Sequence, residues 1–156
     1  MDQVGPGPAY DSSGMQHVSL INGATIPSTG VGNFGTGLLL DGIDDYARTD
    51  KPVVYTDQSF TVSAWVRLPA TVTGNRTIVA QHGNVESGFY LKYEGSDGRW
   101  CFVYGDADNV PGSGAHTRSL APATKDAWVY LVGIYDAQAR QIGPLRRRSV
   151  ARAGRR

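Results

Sequence analysis

Phe60 to Leu68 alternates without a break over nine residues: Phe60, Val62, Ala64, Val66 and Leu68 fall on one side, Thr61, Ser63, Trp65 and Arg67 on the other. A strand repeats its side-chain direction every second residue, whereas a helix returns to the same face after about 3.6. No helix fits this stretch. A strand with one apolar face must be covered by a second layer, so the segment also demands a partner sheet. Other segments repeat the theme in shorter pieces. Gly88–Glu94 and Arg99–Tyr104 are predicted strands joined by Gly95-Ser96-Asp97-Gly98. An Asp-Gly pair between alternating runs is a hairpin signal, because positive φ is cheap there. Thr77–Gln81 and Arg140–Ile142 read as short strands, and Ala115–Leu120 as an edge strand. Leu38–Leu40, Asp41-Gly42 and Asp44–Arg48 read as strand, turn and strand. Trp128–Tyr135 is apolar on both faces and is predicted to be central and covered twice. Asp11-Ser12-Ser13-Gly14 is a predicted turn.

Composition agrees with this pattern. The 156 residues include 20 Gly and 8 Pro but only two Glu (Glu86, Glu94) and three Lys, a poverty of helix formers that excludes a helical bundle. The length suits one domain. Eight or nine short strands separated by turn residues imply an all-β fold, an antiparallel two-sheet sandwich or jelly roll. No run approaches the ~18 apolar residues of a membrane span, so no membrane insertion is expected. The opening Met1-Asp2-Gln3-Val4 has neither the basic nor the apolar stretch of a secretory signal.

The formal net charge of +1 conceals a division. Residues 1–142 hold all 14 acidic side chains against nine basic ones, while the last 14 residues hold six Arg and no acid. A basic arm for an anionic partner is one meaning of such a tail. Pro144 to Arg156 is, however, built from residues that GC-rich codons encode, the look of read-through, and no specific nucleic-acid partner is expected. The predicted organisation is a loose lead-in over 1–10, a domain over 11–142 and an Arg-rich, non-domain tail over 143–156. The lone cysteine, Cys101, excludes a disulfide within the chain and a Cys-based zinc site. In its alternating run it reads as a small core residue.

Asp11-Ser-Ser-Gly14, Gly32-Asn-Phe-Gly35, Leu40-Asp-Gly-Ile-Asp-Asp-Tyr46, Ser59-Phe-Thr-Val-Ser-Ala-Trp-Val-Arg67, Gly88-Phe-Tyr-Leu91 and Trp128-Val-Tyr-Leu-Val-Gly-Ile-Tyr-Asp136 succeed one another in order. Together they resemble a laminin G-like jelly-roll domain of the concanavalin A-like lectin/glucanase superfamily, in its bacterial secreted form. The resemblance covers about 11–142. It implies a concanavalin A-like sandwich, an extracellular or cell-surface setting, a glycan or extracellular protein ligand, and calcium at a loop edge. Relatives continue after Ile142 with a Tyr-x-Asn-Gly hairpin and further strands, whereas this chain continues with Gly143-Pro144-Leu145-Arg146. The domain is therefore expected to be incomplete at its C-terminus.

Candidate chemistry is sparse. Gly30-Val-Gly32-Asn-Phe-Gly35 matches the dinucleotide fingerprint, which requires a helix directly after it. Thr36-Gly-Leu-Leu-Leu-Asp-Gly42 is a predicted strand and turn instead. Hydrolases of the resembling fold carry Glu-x-Asp-x-x-Glu on one strand; Glu86 and Glu94 are eight apart with no Asp between them. His17, His82 and His116 stand alone. Asp106, Asp108 and Asn109 crowd one loop and Asp41, Asp44 and Asp45 another, oxygen donors of the type calcium takes and also residues that favour turns. Asp106, Asp108 and Asn109 are the preferred calcium candidates. Tyr90, Lys92 and Glu94 share the polar face of their strand and are the candidate ligand-binding residues, since a sugar takes an aromatic platform flanked by polar groups. The expected role is a non-catalytic, carbohydrate-binding or adhesion module, with calcium as the only cofactor. The alternatives are a gene fragment without independent function and a glycan-active hydrolase.

Overall fold

The computed structural model describes residues 9–14, 16–28, 30, 32–33, 35–108 and 114–149. No helix occurs among them, and every strand ladder is antiparallel. Two compact units divide the chain, residues 1–53 and 54–156.

The first unit holds β1 (Ser19–Ile21) and β2 (Tyr46–Arg48), paired with Leu20 opposite Ala47. The other described residues of this unit form turns, isolated bridges and irregular segments. Asp11 accepts from the Ser13 and Gln16 amides at 2.9 and 3.0 Å, the predicted turn at 11–14. Leu38–Leu40 does not form a ladder strand. Only Leu39 bridges, to Thr25, and all three leucines are exposed. Three consecutive leucines carry no alternation and so present no single face to bury.

The second unit is a two-layer sandwich. One sheet is built on β8 (Val129–Asp136), flanked by β3 (Phe60–Val66) on one side and by β9 (Gln141–Ile142) and β10 (Arg146–Ser149). The other runs β4 (Arg76–Gln81), β5 (Phe89–Glu94), β6 (Arg99–Tyr104) and β7 (Ala115–Arg118) in that order. Gly98 takes φ 68° in the predicted hairpin turn, which closes with Glu94 opposite Arg99. β7 ends at Arg118, two residues short of the predicted edge strand. Ser119 turns inward there, and its hydroxyl accepts from the Trp100 amide at 3.2 Å.

Alternation decides what fills the space between the sheets. Phe60, Val129, Leu131 and Tyr135 face Phe89, Leu91, Tyr93, Trp100, Phe102 and Tyr104 across the layers. Each large apolar side chain so buried contributes about 1.5–3 kcal/mol. The rings interlock, with Phe60 centred 5.2 Å from Phe89 and Tyr104 stacked on Tyr135 at 3.7 Å.

The segment expected to be a tail outside the domain enters the sandwich. Leu145 joins the core, and Arg146–Ser149 pairs with β8, Arg148 opposite Tyr130. An edge strand is held by main-chain hydrogen bonds, which three consecutive arginines supply as readily as any residues. They leave no alternation by which sequence reading finds a strand.

The Tyr104–Tyr135 stack makes the fold sensitive to base. Burial, and then the hydrogen bond to Tyr135, push the Tyr104 phenol up to about 12. An unfolded tyrosine ionises near 10. Between about pH 10 and 12 the unfolded chain therefore releases this proton first, and stability falls as pH rises through that window. Tyrosinate absorbance should show one phenol titrating late and together with loss of the β circular dichroism. A Tyr104 that titrates near pH 10, as an unfolded tyrosine does, would remove this source of alkaline unfolding.

Candidate functional site

The outward faces of β5, β6 and β7 form an open groove of about 360 Å³. Because β5 buries Phe89, Leu91 and Tyr93, its alternate residues Tyr90, Lys92 and Glu94 must face outward. Antiparallel register then sets out the floor in rows. Tyr90 lies opposite Val103 and Val103 opposite His116; Lys92 lies opposite Cys101 and Cys101 opposite Arg118. Glu86, Ser87, Gly105 and Gly114 close one end.

The three predicted ligand-binding residues thus line one groove. Lys92 Nζ lies 3.0 Å from Glu94 Oε2, both half-buried. The Lys92 ammonium is the main reason that the Glu94 carboxyl is held below the usual glutamate range. The Tyr90 hydroxyl donates to Glu86 Oε1 at 2.9 Å, fixing the ring at its outer end. Arg118 Nε lies 3.3 Å from Asp97 Oδ2 in the β5–β6 turn. Sequence reading missed Glu86, His116 and Arg118 as parts of this surface. Glu86 sits in a loop, and the place of β7 beside β6 depends on a connection with no pattern of its own. Cys101 lies beside Lys92 through the register of the β5–β6 hairpin.

Cys101 is on the groove floor yet almost fully buried. Burial pushes its thiol pKa up, so little thiolate, the reactive form, is present near neutral pH. A thiol-disulfide reagent should label Cys101 slowly in the native protein and fast after unfolding. Equal rates in the two states would show that the floor is open.

In the acidic loops the carboxylates accept hydrogen bonds from nearby amides. Asp108 Oδ1 accepts from the Val85 and Glu86 amides at 2.8 and 2.9 Å, and Oδ2 from the Asn84 amide and side chain at 2.8 and 3.0 Å. These donors, the Val85 amide first, bring its pKa down to about 2. Four donors occupy the lone pairs of this carboxylate. It braces the loop that carries Glu86 and Ser87. Asp106 is exposed, and Asn109 lies outside the described residues. Asp41, Asp44 and Asp45 do come together, with ligand atoms within 4.8 Å of one another. Asp41 Oδ1 there accepts the Ile43 amide at 2.8 Å and those of Asp44 and Asp45 at 3.4 Å, the bonding of an acid-rich turn.

A sequence profile for a laminin G-type domain, described as Concanavalin A-like lectin/glucanases superfamily, matches residues 41–142. The chain belongs to this superfamily. The profile covers β2 through β9 and, within the second unit, both sheets of the sandwich. No curated protein and no solved structure matches the chain. Laminin G-like domains are in general binding modules for extracellular ligands, and membership places this chain in that broad class. Among the described residues no helix is long and apolar enough to cross a membrane.

Proposed function

We propose that the protein is a non-catalytic carbohydrate-binding module of a secreted or cell-surface protein, and that its ligand lies along the β5–β7 groove. The observation that carries this reading is the joint placement of Tyr90, Lys92 and Glu94 on one grooved sheet face with His116 and Arg118. An aromatic ring offers an apolar platform to a sugar ring, and the flanking side chains offer donors and acceptors to its hydroxyls. Side chains held on strands need little reordering on binding. An extended sheet face also suits a chain-like ligand better than an enclosed small molecule.

Two glutamates, Glu86 and Glu94, line the same groove, which is what a hydrolase would need. The charge environment argues against that chemistry. A general acid requires a raised carboxyl pKa, and Lys92 holds Glu94 in the opposite direction. Glu86 is engaged by the Tyr90 hydroxyl and the Ser87 amide at 2.9 and 3.0 Å.

A glycan array followed by calorimetric titration tests the reading. Tyr90→Ala should weaken binding of any glycan found by about tenfold or more, which is about 1.4 kcal/mol, with the circular dichroism unchanged. Binding that survives Tyr90→Ala intact would move the site off this groove. Release of new reducing ends from the bound glycan would make the protein a hydrolase.

A further inference from the structure

Granted that the groove is the glycan surface, we infer that it selects neutral saccharides, and that Glu94 is the residue that turns acidic ones away. Lys92 and Arg118 stand in one cross-strand row on either side of Cys101. Two cations in a row in one groove would ordinarily attract a carboxylate or sulfate. Here each cation already faces its own carboxylate, Lys92 with Glu94 at 3.0 Å and Arg118 with Asp97 at 3.3 Å. The charged groups lining the groove, Glu86 and Glu94 against Lys92 and Arg118, cancel when His116 is neutral. Asp97 beside Arg118 adds one negative charge.

The two ion pairs are not equivalent. Side-chain exposure is 24% and 14% for Lys92 and Glu94, but 44% and 37% for Arg118 and Asp97. The exposed pair is strongly screened by water and salt. The Lys92–Glu94 pair is more shielded, so its charges act more strongly on whatever enters. An anionic sugar reaching for Lys92 must displace Glu94 or lie beside it, and either outcome is unfavourable. A hydroxyl meets no such penalty. Lys92 has three N–H donors, one of them directed at Glu94, and a hydroxyl both donates and accepts, so it bridges the pair without breaking it. Discrimination through the repulsive partner, with no new attraction, is a general route to specificity.

The test is a set of matched titrations with neutral oligosaccharides of the gluco, manno and galacto series and with their uronate counterparts. The wild-type protein should bind at least one neutral series, and its uronate at least about tenfold more weakly. Glu94→Gln removes the charge and keeps the shape, and it should narrow that ratio by about tenfold, more at low salt than at high. Asp97→Asn serves as a second variant should Glu94→Gln fail to fold, with a smaller shift in the same direction. A wild-type protein that takes the uronate as well as the neutral sugar, or variants that leave the ratio unmoved, would overturn the assignment while leaving the glycan site in place. Absence of binding to every member of both series would overturn the glycan reading itself, and the selectivity with it.

Discussion

Phe102→Ala should lower the unfolding free energy by about 3–5 kcal/mol. Phe102 is fully buried on the inner side of β6, with ring centres 6.3 Å from both Phe60 and Phe89. It therefore joins the two sheets at the middle of the sandwich. Truncation removes the ring's transfer free energy and also leaves a cavity that strands cannot collapse to fill without breaking their ladders. Urea denaturation checks this, with the midpoint falling and the slope unchanged. A loss below about 1 kcal/mol would mean that the sheets do not pack through this residue.

Gly133 faces the same ring from β8, and its substitution should give the second large effect. A Cβ built there would lie 2.5 Å from Phe102 Cδ2, 2.7 Å from Cγ and 2.8 Å from Cε2. The backbone at Gly133 is ordinary strand, so space and not φ requires the glycine. Gly133→Ala should destabilise by about 1–3 kcal/mol, the range for overpacking a filled core, and Gly133→Val by more. The sites are in contact, so their effects should not add. In a Phe102→Leu background the cost of Gly133→Ala should shrink, because the clashing ring is gone. A cycle whose effects sum simply would show that the alanine is accommodated by movement elsewhere.

Much of this arrangement is legible from local pattern. The unbroken alternation of Phe60–Leu68 specifies β3 and its buried face. The Asp97-Gly98 pair specifies the hairpin, and with it the register that sets Lys92 opposite Cys101. The outward direction of Tyr90, Lys92 and Glu94 follows from the inward direction of Phe89, Leu91 and Tyr93. In each case the information lies within a few residues. Where pattern was missing or misleading, the reading differed from the structure. Leu38–Leu40 suggests a strand by hydrophobicity alone, yet the three leucines are exposed. Leu145–Ser149 suggests a tail by composition alone, yet it carries an edge strand.

The candidate site divides along the same line. Its β5 half is contained in the sequence, since period two fixes which side chains share a face. Its other half depends on contacts between residues far apart in the chain. Asp108 reads as a calcium ligand because a carboxylate in a loop looks the same whether it awaits a cation or already holds N–H groups. Only the folded chain brings the amides of Asn84, Val85 and Glu86 to the Asp108 oxygens. His116 and Arg118 joined the groove only when β7 paired with β6. Strand identity and facing are determined by periodicity, a property of neighbours in sequence. The partners of a carboxylate and the far wall of a groove are determined by which distant groups arrive within hydrogen-bonding reach, and that is decided when the sheets close.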